Sequence, residues 1–215
     1  MNFQKARIAM VDCQVRPSDV TRYNVIDAML SIKREEFVPT NLRSISYSEN
    51  HLKINNERYI LDPRTTAKML DACNIKKTDL VLDIASGYGY SSALISRLAE
   101  TVISLEEESF AEEAKKNLLS QSIDNAIVCE GNLSNGEPKY SLYDLICIQG
   151  GVEIISKDII DQLKVGGRLI CIMIENNVGM CALGLKLENG IDWIKLFNAN
   201  SPLINNFKKE KKFHF

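Results

Sequence analysis

The sequence lacks the motifs that metal-binding, membrane-spanning and secreted proteins require. It holds six cysteines but no Cys-x-x-Cys pair, and only two histidines, His51 and His214. Zinc sites need several closely spaced Cys or His ligands, so no metal site is predicted. No apolar run approaches the roughly 18 residues of a membrane-spanning helix, and the start, MNFQKARIAMVDCQ, lacks a signal-peptide core. Because several cysteines lie in apolar runs, we expect reduced thiols and a cytoplasmic protein without membrane contact.

The sequence also lacks an excess of charge of either sign. Lys and Arg total 26 and Asp and Glu total 28, which gives a formal net charge of -2. Nucleic-acid-binding domains carry a basic patch or a high pI, so we expect no nucleic-acid partner. The one basic cluster lies in the final segment FKKEKKFHF. It is typical of a solvated terminus, with contact to an acidic partner as the alternative.

The first third of the chain reads as helical and irregular. Apolar spacing near 3.6 residues predicts helices over Phe3 to Gln14 and over Val20 to Ile32, and the segment REEFVP is expected to close the second one. The periodicity fails from residue 43 to 60, which predicts a long loop or short strands. Asp62-Pro63 then forms a good helix start, with aspartate as N-cap and proline in the first turn.

From Thr78 the pattern changes to short apolar runs that alternate with helices. This alternation is typical of a parallel sheet with helices on both faces. The last two predicted strands flank the turn Asn189-Gly190 and form an antiparallel hairpin. We therefore predict an N-terminal helical annex and substrate-side loop over residues 1–75. Residues 76–215 are predicted to form a Rossmann-like α/β domain with a mostly parallel seven-stranded sheet, the C-terminal hairpin and the tail.

The stretch Val81 to Ala93, VLDIASGYGYSSA, is the strongest indication of a ligand-binding loop in the sequence. A strand ends near Asp83, a glycine turn follows at Gly87 and Gly89, and a helix begins directly after the turn. Glycines are needed where a backbone turns tightly and comes close to a ligand. A Gly-x-Gly turn alone is weak evidence, because many strand-to-helix connections use one.

Two acids narrow the choice of ligand. Asp83 can meet a cation such as the amino group of a methionine moiety, whereas it would repel the pyrophosphate of NAD. Glu106 ends the next predicted strand, TVISLE, and is placed to accept hydrogen bonds from ribose hydroxyls. Together the two acids fit a zwitterionic nucleoside without phosphate, such as S-adenosyl-L-methionine. The alternatives are a structural glycine turn with a capping acid, and a NAD or FAD site.

Weaker candidates lie at the ends of neighbouring strands. Glu107 follows Glu106 directly. Gly131 and Asn132 follow the third strand, where a side-chain carbonyl can accept from an adenine amino group, although Asn132 is equally typical of a turn. Gln149 ends the fourth strand, on the side where ligands of open α/β sheets collect.

In their order along the chain, these motifs resemble the protein-L-isoaspartate O-methyltransferase family, which repairs aged proteins by methylating the abnormal isoaspartyl carboxylate. The resemblance runs from about Met10 to Leu169. REEFVP is similar to the close of the family's opening helices. Tyr47 and Glu49 match a family loop of Ala-Tyr, an acid and Pro-Leu, with His51 at the proline. The motifs VLDIASGYGYSSA, VISLE, YDLICIQGGVE and DQLKVGGRLI then follow in the family's order.

The resemblance implies a Rossmann-like class I methyltransferase fold, S-adenosyl-L-methionine as cofactor, and a protein or peptide that bears isoaspartate as substrate. Asn132 stands in place of the family's usual acid. Carried over by position, the resemblance implies cofactor contacts from Asp83, Ala85, Ser86, Gly87, Glu106 and Asn132.

One segment departs from the family. The family's Gly-Gln-Thr-Ile-Ser-x-Pro lines the junction of cofactor and isoaspartyl group, and this chain reads ERYILDP over residues 57–63. Alignment on Ile60 and Pro63 puts Tyr59 at the threonine and Leu61 at the serine. Leucine cannot donate a hydrogen bond to an acceptor carboxylate, so the change favours another acceptor. Tyr59 can hydrogen-bond or stack on a substrate, or simply pack.

The chemistry of the acceptor decides whether a base is needed. A carboxylate with a pKa near ~4 is ionised at pH 7, so its methylation needs orientation rather than a base. A hydroxyl or amine would need a base, and Glu49, His51 and Asp62 are candidates, each otherwise a loop residue or helix cap. Three hypotheses follow: an isoaspartyl-type methyltransferase, a methyltransferase of the same scaffold with another acceptor, and a non-catalytic module that binds cofactor or a partner protein. Oligomeric state stays open.

Overall fold

A computed structural model describes residues 2–56 and 58–209. The chain begins with helix α1 (Phe3–Met10), whose N-cap Asn2 accepts from the backbone N–H of Lys5. A π-helical turn and a 3-10 turn continue it as far as Ser18. Helix α2 (Tyr23–Ser31) follows, and its apolar residues enter the main core. Both predicted helices are therefore confirmed, with the α-helical part of the first shorter than expected.

The prediction that REEFVP closes the second helix is wrong. Helix α2 ends before Ile32, whose backbone is extended, and Arg34–Phe37 form a separate 3-10 turn. Arg34, Glu35 and Phe37 are all buried. A regular helix at a surface buries only one stripe, so three buried residues among four in sequence require a turn enclosed by protein on several sides.

The stretch without periodicity contains two short strands, as predicted. Strand β1 (Leu52–Lys53) pairs antiparallel with strand β2 (Tyr59–Ile60). Helix α3 (Pro63–Cys73) begins at the predicted signal: the side chain of Asp62 accepts from the backbone N–H of Thr65 at 2.8 Å, and Pro63 occupies the first turn. The helix ends at Asn74, which has a left-handed backbone.

Five apolar runs form the parallel part of the main sheet, and its central strands are almost entirely buried, as expected for parallel strands covered on both faces. These strands are β3 (Leu80–Ile84), β4 (Thr101–Glu106), β5 (Ala126–Glu130), β6 (Tyr143–Val152) and β7 (Leu163–Glu175). Three helices connect them: α4 (Tyr90–Ser96), α5 (Glu108–Ser120) and α6 (Lys157–Asp161).

The sheet ends in the predicted antiparallel hairpin. Strands β8 (Val178–Leu187) and β9 (Gly190–Asn198) pair with each other, and β8 pairs antiparallel with β7. The strand order is β5-β4-β3-β6-β7-β8-β9, and the four neighbour pairs from β5 to β7 are parallel. The predicted α/β class and mostly parallel seven-stranded sheet are confirmed.

Alternate residues of the strands feed two cores, one on each face of the sheet. Val81 and Leu145 belong to the first core, which also takes the apolar residues of α1, α2 and α3. Leu82 and Ile146 belong to the second core, with Ile159 of α6. The helical annex thus shares a core with the sheet. The division into residues 1–75 and 76–215 stays a prediction.

After β9 the chain turns back across the carboxyl ends of the strands. Leu203 forms a parallel bridge with Gly151, and the backbone N–H of Gly151 donates to the carbonyl of Pro202 at 2.9 Å. A Cβ on Gly150 would lie 2.7 Å from Cγ1 of Ile204, so only glycine permits this crossing. Phe207 is buried at the end of the segment. Of the basic and aromatic tail, residues 210–215 lie outside the described part of the chain.

Candidate active site

The glycine-containing loop after β3 lies at the carboxyl edge of the sheet. Three of its residues have left-handed backbones: Ala85 (φ 64°), Gly87 (φ 61°) and Gly89 (φ 93°). Only glycine adopts this region without steric cost, so Ala85 is held there by its surroundings. One restraint is its backbone N–H, which donates to the carbonyl of Leu105 on β4 at 3.0 Å.

Asp83 is fully buried at the end of β3. Ser91 and Ser92 of α4 each donate to its Oδ2 at 2.6 Å, and the amide of Gln149 on β6 donates to its Oδ1 at 2.7 Å. Burial raises the pKa of Asp83 to about 6, although the three hydrogen bonds oppose the rise. The carboxyl therefore joins β3, α4 and β6 at one point.

The raised pKa makes stability depend on pH. Unfolded aspartate has a pKa of about 3.9, so between roughly pH 4 and pH 6 the folded protein binds more protons than the unfolded one. Stability from this group is therefore lost as pH rises through the window. We expect the wild type to lose about 2–3 kcal/mol relative to Asp83→Asn between these limits, with a constant difference above pH 7. Urea unfolding of both proteins across pH measures this. A pH-independent difference would contradict the prediction.

Glu106 ends β4 next to the glycine loop and is also fully buried. Its Oε1 accepts from the backbone N–H of Gly87 at 2.6 Å, and its Oε2 accepts from the N–H of Glu107 at 3.0 Å. Both oxygens also accept from Nε of Arg58, at 3.1 and 3.2 Å. Burial raises the pKa of Glu106, and the Arg58 charge together with the two backbone N–H groups opposes the rise.

Arg58 belongs to the loop between β1 and β2, and its side chain is 2% exposed. Besides Glu106, its Nη2 donates to Oε2 of Glu107 at 2.9 Å, and the guanidinium carbon lies 5.2 Å from the ring centre of Phe110. The same loop covers the glycine turn. A Cβ on Gly87 would lie 2.8 Å from Cδ1 of Ile54. The loop thus closes over the end of β4.

Of the remaining predicted cofactor residues, two lie at the carboxyl edge of the sheet and two are engaged in other contacts. Ser86 is buried and shares a hydrogen bond with Ser104, and Gly131 lies at the end of β5, so both are at the carboxyl edge. Gly89 begins α4 with a left-handed backbone (φ 93°) and lies against α5, where a Cβ would meet that of Ala114 at an ordinary contact distance of 3.4 Å. Asn132 uses its Oδ1 to cap the following 3-10 turn by accepting from Ser134, which is the turn role considered above.

The two residues that replace the family's threonine and serine differ in environment. Tyr59 is half-buried in β2, opposite Lys53. Leu61 is 3% exposed and belongs to the first core, so this position contributes packing and no polar side chain. Its carbonyl accepts from Nη2 of Arg34 at 2.8 Å, and Nε of Arg34 donates to the carbonyl of Ser46 at 2.7 Å. Arg34 therefore fixes the backbone of the segment.

The three candidate bases are brought together near helix α3. Glu49 and Asp62 line a cavity of about 470 Å³ between the annex and the end of β9. His51 accepts from the backbone N–H of Asp62 at Nδ1, at 2.9 Å, and its Nε2 lies 2.6 Å from the carbonyl of Asn200. Both ring nitrogens are thus engaged in joining the loop to the C-terminal segment, which is a structural role.

Sequence reasoning missed Arg58, which is the most extensively bonded side chain at this edge. The alignment on Pro63 places Arg58 at the position of the family's neutral glutamine. A positive charge at that position, in a chain whose predicted site is acidic, could have indicated an ion pair between Arg58 and one of the site acids. It also missed Asn206, whose amide donates to Oε1 of Glu107 at 3.3 Å and lies 3.5 Å from Oδ1 of Asn132. No motif marks that contact.

Within residues 2–56 and 58–209, no helix combines the length and apolar character needed to cross a bilayer. In the same residues, no group of three or more His, Cys, Asp or Glu side chains is arranged to hold a metal ion.

Comparison with known proteins identifies the family. The curated protein-L-isoaspartate O-methyltransferase of Syntrophus aciditrophicus is 36% identical over 169 residues, which is 78% of each chain. A solved protein-L-isoaspartate O-methyltransferase superposes with a TM-score of 0.78 at 26% identity, over 95% of this chain and 66% of that one. A Plasmodium falciparum protein assigned to the same enzymes, solved with S-adenosyl-L-homocysteine, has a TM-score of 0.79 at 19% identity and covers 96% and 99%.

At that identity the third match supports the fold alone, and the fold is the predicted Rossmann-like methyltransferase fold. The family profile described as protein-L-isoaspartate(D-aspartate) O-methyltransferase matches residues 7–195. This span includes the REEFVP turn, the glycine loop, Glu106 and the first strand of the hairpin. The chain therefore belongs to the protein-L-isoaspartate(D-aspartate) O-methyltransferase family.

Proposed function

We propose that this protein transfers a methyl group from S-adenosyl-L-methionine to the side-chain carboxylate of isoaspartyl residues in proteins or peptides. The observation that carries the proposal is the meeting of Glu106 with the backbone N–H of Gly87, at 2.6 Å, where two neighbouring parallel strands end. An acid at this position accepts hydrogen bonds from ribose hydroxyls in nucleoside-binding sheets. Family membership supports the reaction itself.

The residues at this edge suit the cofactor. Glu106 offers oxygens to the ribose, and the turn at Gly87 lets a ligand approach the backbone. Asp83 is buried behind Gln149, so it would act on an ammonium group through that amide and through its charge. The cofactor supplies a methyl group that its sulfonium already activates. Further contacts are proposed from Ala85, Ser86, Glu107, Gly131 and Asn132.

The chain's own contribution is orientation. A carboxylate acceptor is ionised at pH 7 and needs no base, and correct placement of two reactants supplies much of the rate. Since Leu61 offers no polar side chain, Tyr59 is the side chain of this segment that we propose to contact the acceptor.

We place the reaction in the cytoplasm and expect no nucleic-acid partner. All six cysteines are free, and Cys73, Cys147, Cys171 and Cys181 are buried. Thiols persist in reducing compartments. The net charge of -2 offers no electrostatic attraction to phosphate backbones.

Methyl transfer to an isoaspartyl peptide, measured beside its ordinary aspartyl twin, tests the proposal. With radiolabelled S-adenosyl-L-methionine we expect base-labile label on the isoaspartyl peptide alone, because a methyl ester hydrolyses in base and the two peptides differ only in the linkage. Calorimetry with S-adenosyl-L-homocysteine checks cofactor binding separately. Tight binding with no label on either peptide would reject the isoaspartyl acceptor and keep the cofactor site.

A further inference from the structure

The chain itself contains the dipeptide from which isoaspartyl residues form. It has two Asn-Gly pairs, Asn135-Gly136 and Asn189-Gly190. In such a pair the backbone nitrogen of glycine attacks the side-chain carbonyl carbon of asparagine, because glycine has no Cβ to obstruct the approach. Ammonia leaves and a five-membered succinimide ring remains. When water then breaks the bond between that nitrogen and the main-chain carbonyl, the product is an isoaspartyl residue with a free carboxylate.

The structure holds Asn135-Gly136 in a conformation that opposes this attack. Nε2 of Gln162 donates to the carbonyl of Asn135 at 2.8 Å, and its Oε1 accepts from the backbone N–H of Glu137 at 2.8 Å. The N–H of Gly136 donates to the carbonyl of Leu133 at 3.3 Å. Gly136 is buried, and a Cβ there would lie 2.5 Å from Oε1 of Gln162. The nitrogen of Gly136 therefore reaches the Asn135 side chain only after several hydrogen bonds break.

Asn189-Gly190 lies instead at an exposed two-residue turn. Leu187 and Gly190 form the last pair between β8 and β9, and the exposed residues Glu188 and Asn189 connect them. Within residues 2–56 and 58–209 the side chain of Asn189 forms no hydrogen bond. A Cβ on Gly190 would have no neighbour within 4 Å. Only the end of a strand pair has to open here, and such ends open at a low cost in free energy.

This turn lies at the opposite edge of the sheet from the proposed cofactor site. Leu185 pairs with Arg168 on β7. Arg168 pairs with Leu145 on β6, which in turn pairs with Val81 near the start of β3. Three strand spacings across the sheet and about five residues along it separate the turn from the end of β3, a distance of about 20 Å. Because both belong to one sheet, a molecule cannot bring this turn to its own site.

We infer that Asn189 is a site of isoaspartate formation in this protein and that a second copy of the chain methylates the resulting carboxylate. The methylation step rests on the proposed function. In it, a carboxylate oxygen attacks the methyl group, the bond from methyl to sulfur breaks, and S-adenosyl-L-homocysteine leaves. The turn is exposed at an edge of the sheet, so another molecule can bind it while both remain folded.

Ageing of the purified protein in mildly alkaline buffer, followed by peptide mapping, tests the site. Trypsin releases residues 187–195 and 117–139, with one Asn-Gly pair in each peptide. Mass spectrometry against synthetic standards should find about tenfold or more isoaspartate at position 189 than at position 135, because hydrogen bonds restrain the second pair. Asn189→Gln should remove the product, since glutamine would have to close a six-membered ring, and the control Asn135→Gln should leave it unchanged. Equal amounts at both positions, or none at 189, would overturn the inference and leave the proposed function intact.

Methylation between copies is measured by mixing aged wild type with fresh Asn189→Gln protein and radiolabelled S-adenosyl-L-methionine. We expect base-labile label in peptide 187–195 of the aged chain, at a rate that rises with the concentration of the fresh protein. Aged Asn189→Gln should take up no label in this peptide. Label on a synthetic isoaspartyl peptide but none at position 189 would overturn the inference alone, and so would a rate independent of concentration. No label on either would overturn the proposed function, and the methylation step with it.

Discussion

Replacing Glu106 by alanine is expected to lower the free energy of unfolding by about 3–5 kcal/mol, even in the absence of any ligand. The reason is that Arg58, which is 2% exposed, would keep its charge in the protein without its main partner. The backbone N–H of Gly87 would lose its acceptor as well. Removal of one member of a buried ion pair leaves an uncompensated charge, which costs more than the pair contributes.

Urea unfolding of the cofactor-free proteins measures the effect. Glu113→Ala, which removes a half-exposed helix-surface acid paired with Lys116, is the matched control and should change stability by less than about 0.5 kcal/mol. In the double variant Arg58→Met/Glu106→Ala most of the loss should be recovered, because no buried charge remains. A double variant as unstable as Glu106→Ala would show that the ion pair is not the source of the loss.

A loss of similar size is expected from Arg34→Met. Arg34 is 0% exposed, and its guanidinium donates to the carbonyls of Ser46 and Leu61 and lies 4.6 Å from the ring centre of Tyr90. Methionine fills much of the volume but donates nothing, so the carbonyl of Ser46 loses its donor and that of Leu61 keeps only the long bond from Oγ1 of Thr66 at 3.4 Å, a cost of about 1–3 kcal/mol each. We expect a total loss of about 3–5 kcal/mol together with the lost stacking.

The control for this change is Arg16→Met, since Arg16 is half-exposed and, among the described residues, forms an ion pair with Asp12 one turn away. It should change stability by less than about 0.5 kcal/mol. Chemical unfolding followed by circular dichroism compares the two variants with the wild type. If Arg34→Met were as stable as Arg16→Met, burial of the guanidinium would cost as much as its hydrogen bonds contribute, and the segment around Leu61 would be held by packing alone.

The fold could be predicted because its signals are local. Asp62 and Pro63 indicate the start of α3 by residue type alone. The apolar runs from β3 to β7 predict strands from neighbouring residues only. The turn at Asn189-Gly190 likewise predicts the hairpin. REEFVP was misassigned because its conformation depends on three buried side chains whose partners lie elsewhere in the chain.

The position of a site residue could be predicted only where that residue lies at the end of a strand recognisable in the sequence. Asp83 and Glu106 follow from the position at which β3 and β4 stop. Arg58 meets Glu106 across 48 positions of sequence, through a loop whose path no pattern reveals. Gly89, predicted to contact the cofactor, lies next to Ala114 of α5, and a glycine near a ligand and a glycine at a helix contact look alike in a sequence.

The segment that follows β9 has a practical consequence for handling the protein. Asn206 touches Glu107 and Asn132, and Phe207 is buried beside them in the second core, so the last described turn forms part of the wall around the proposed site. A label attached to Asn206 or Phe207 would therefore lie beside Glu107, next to the proposed ribose acceptor. A label on the exposed Asn2, which caps α1, lies outside this wall.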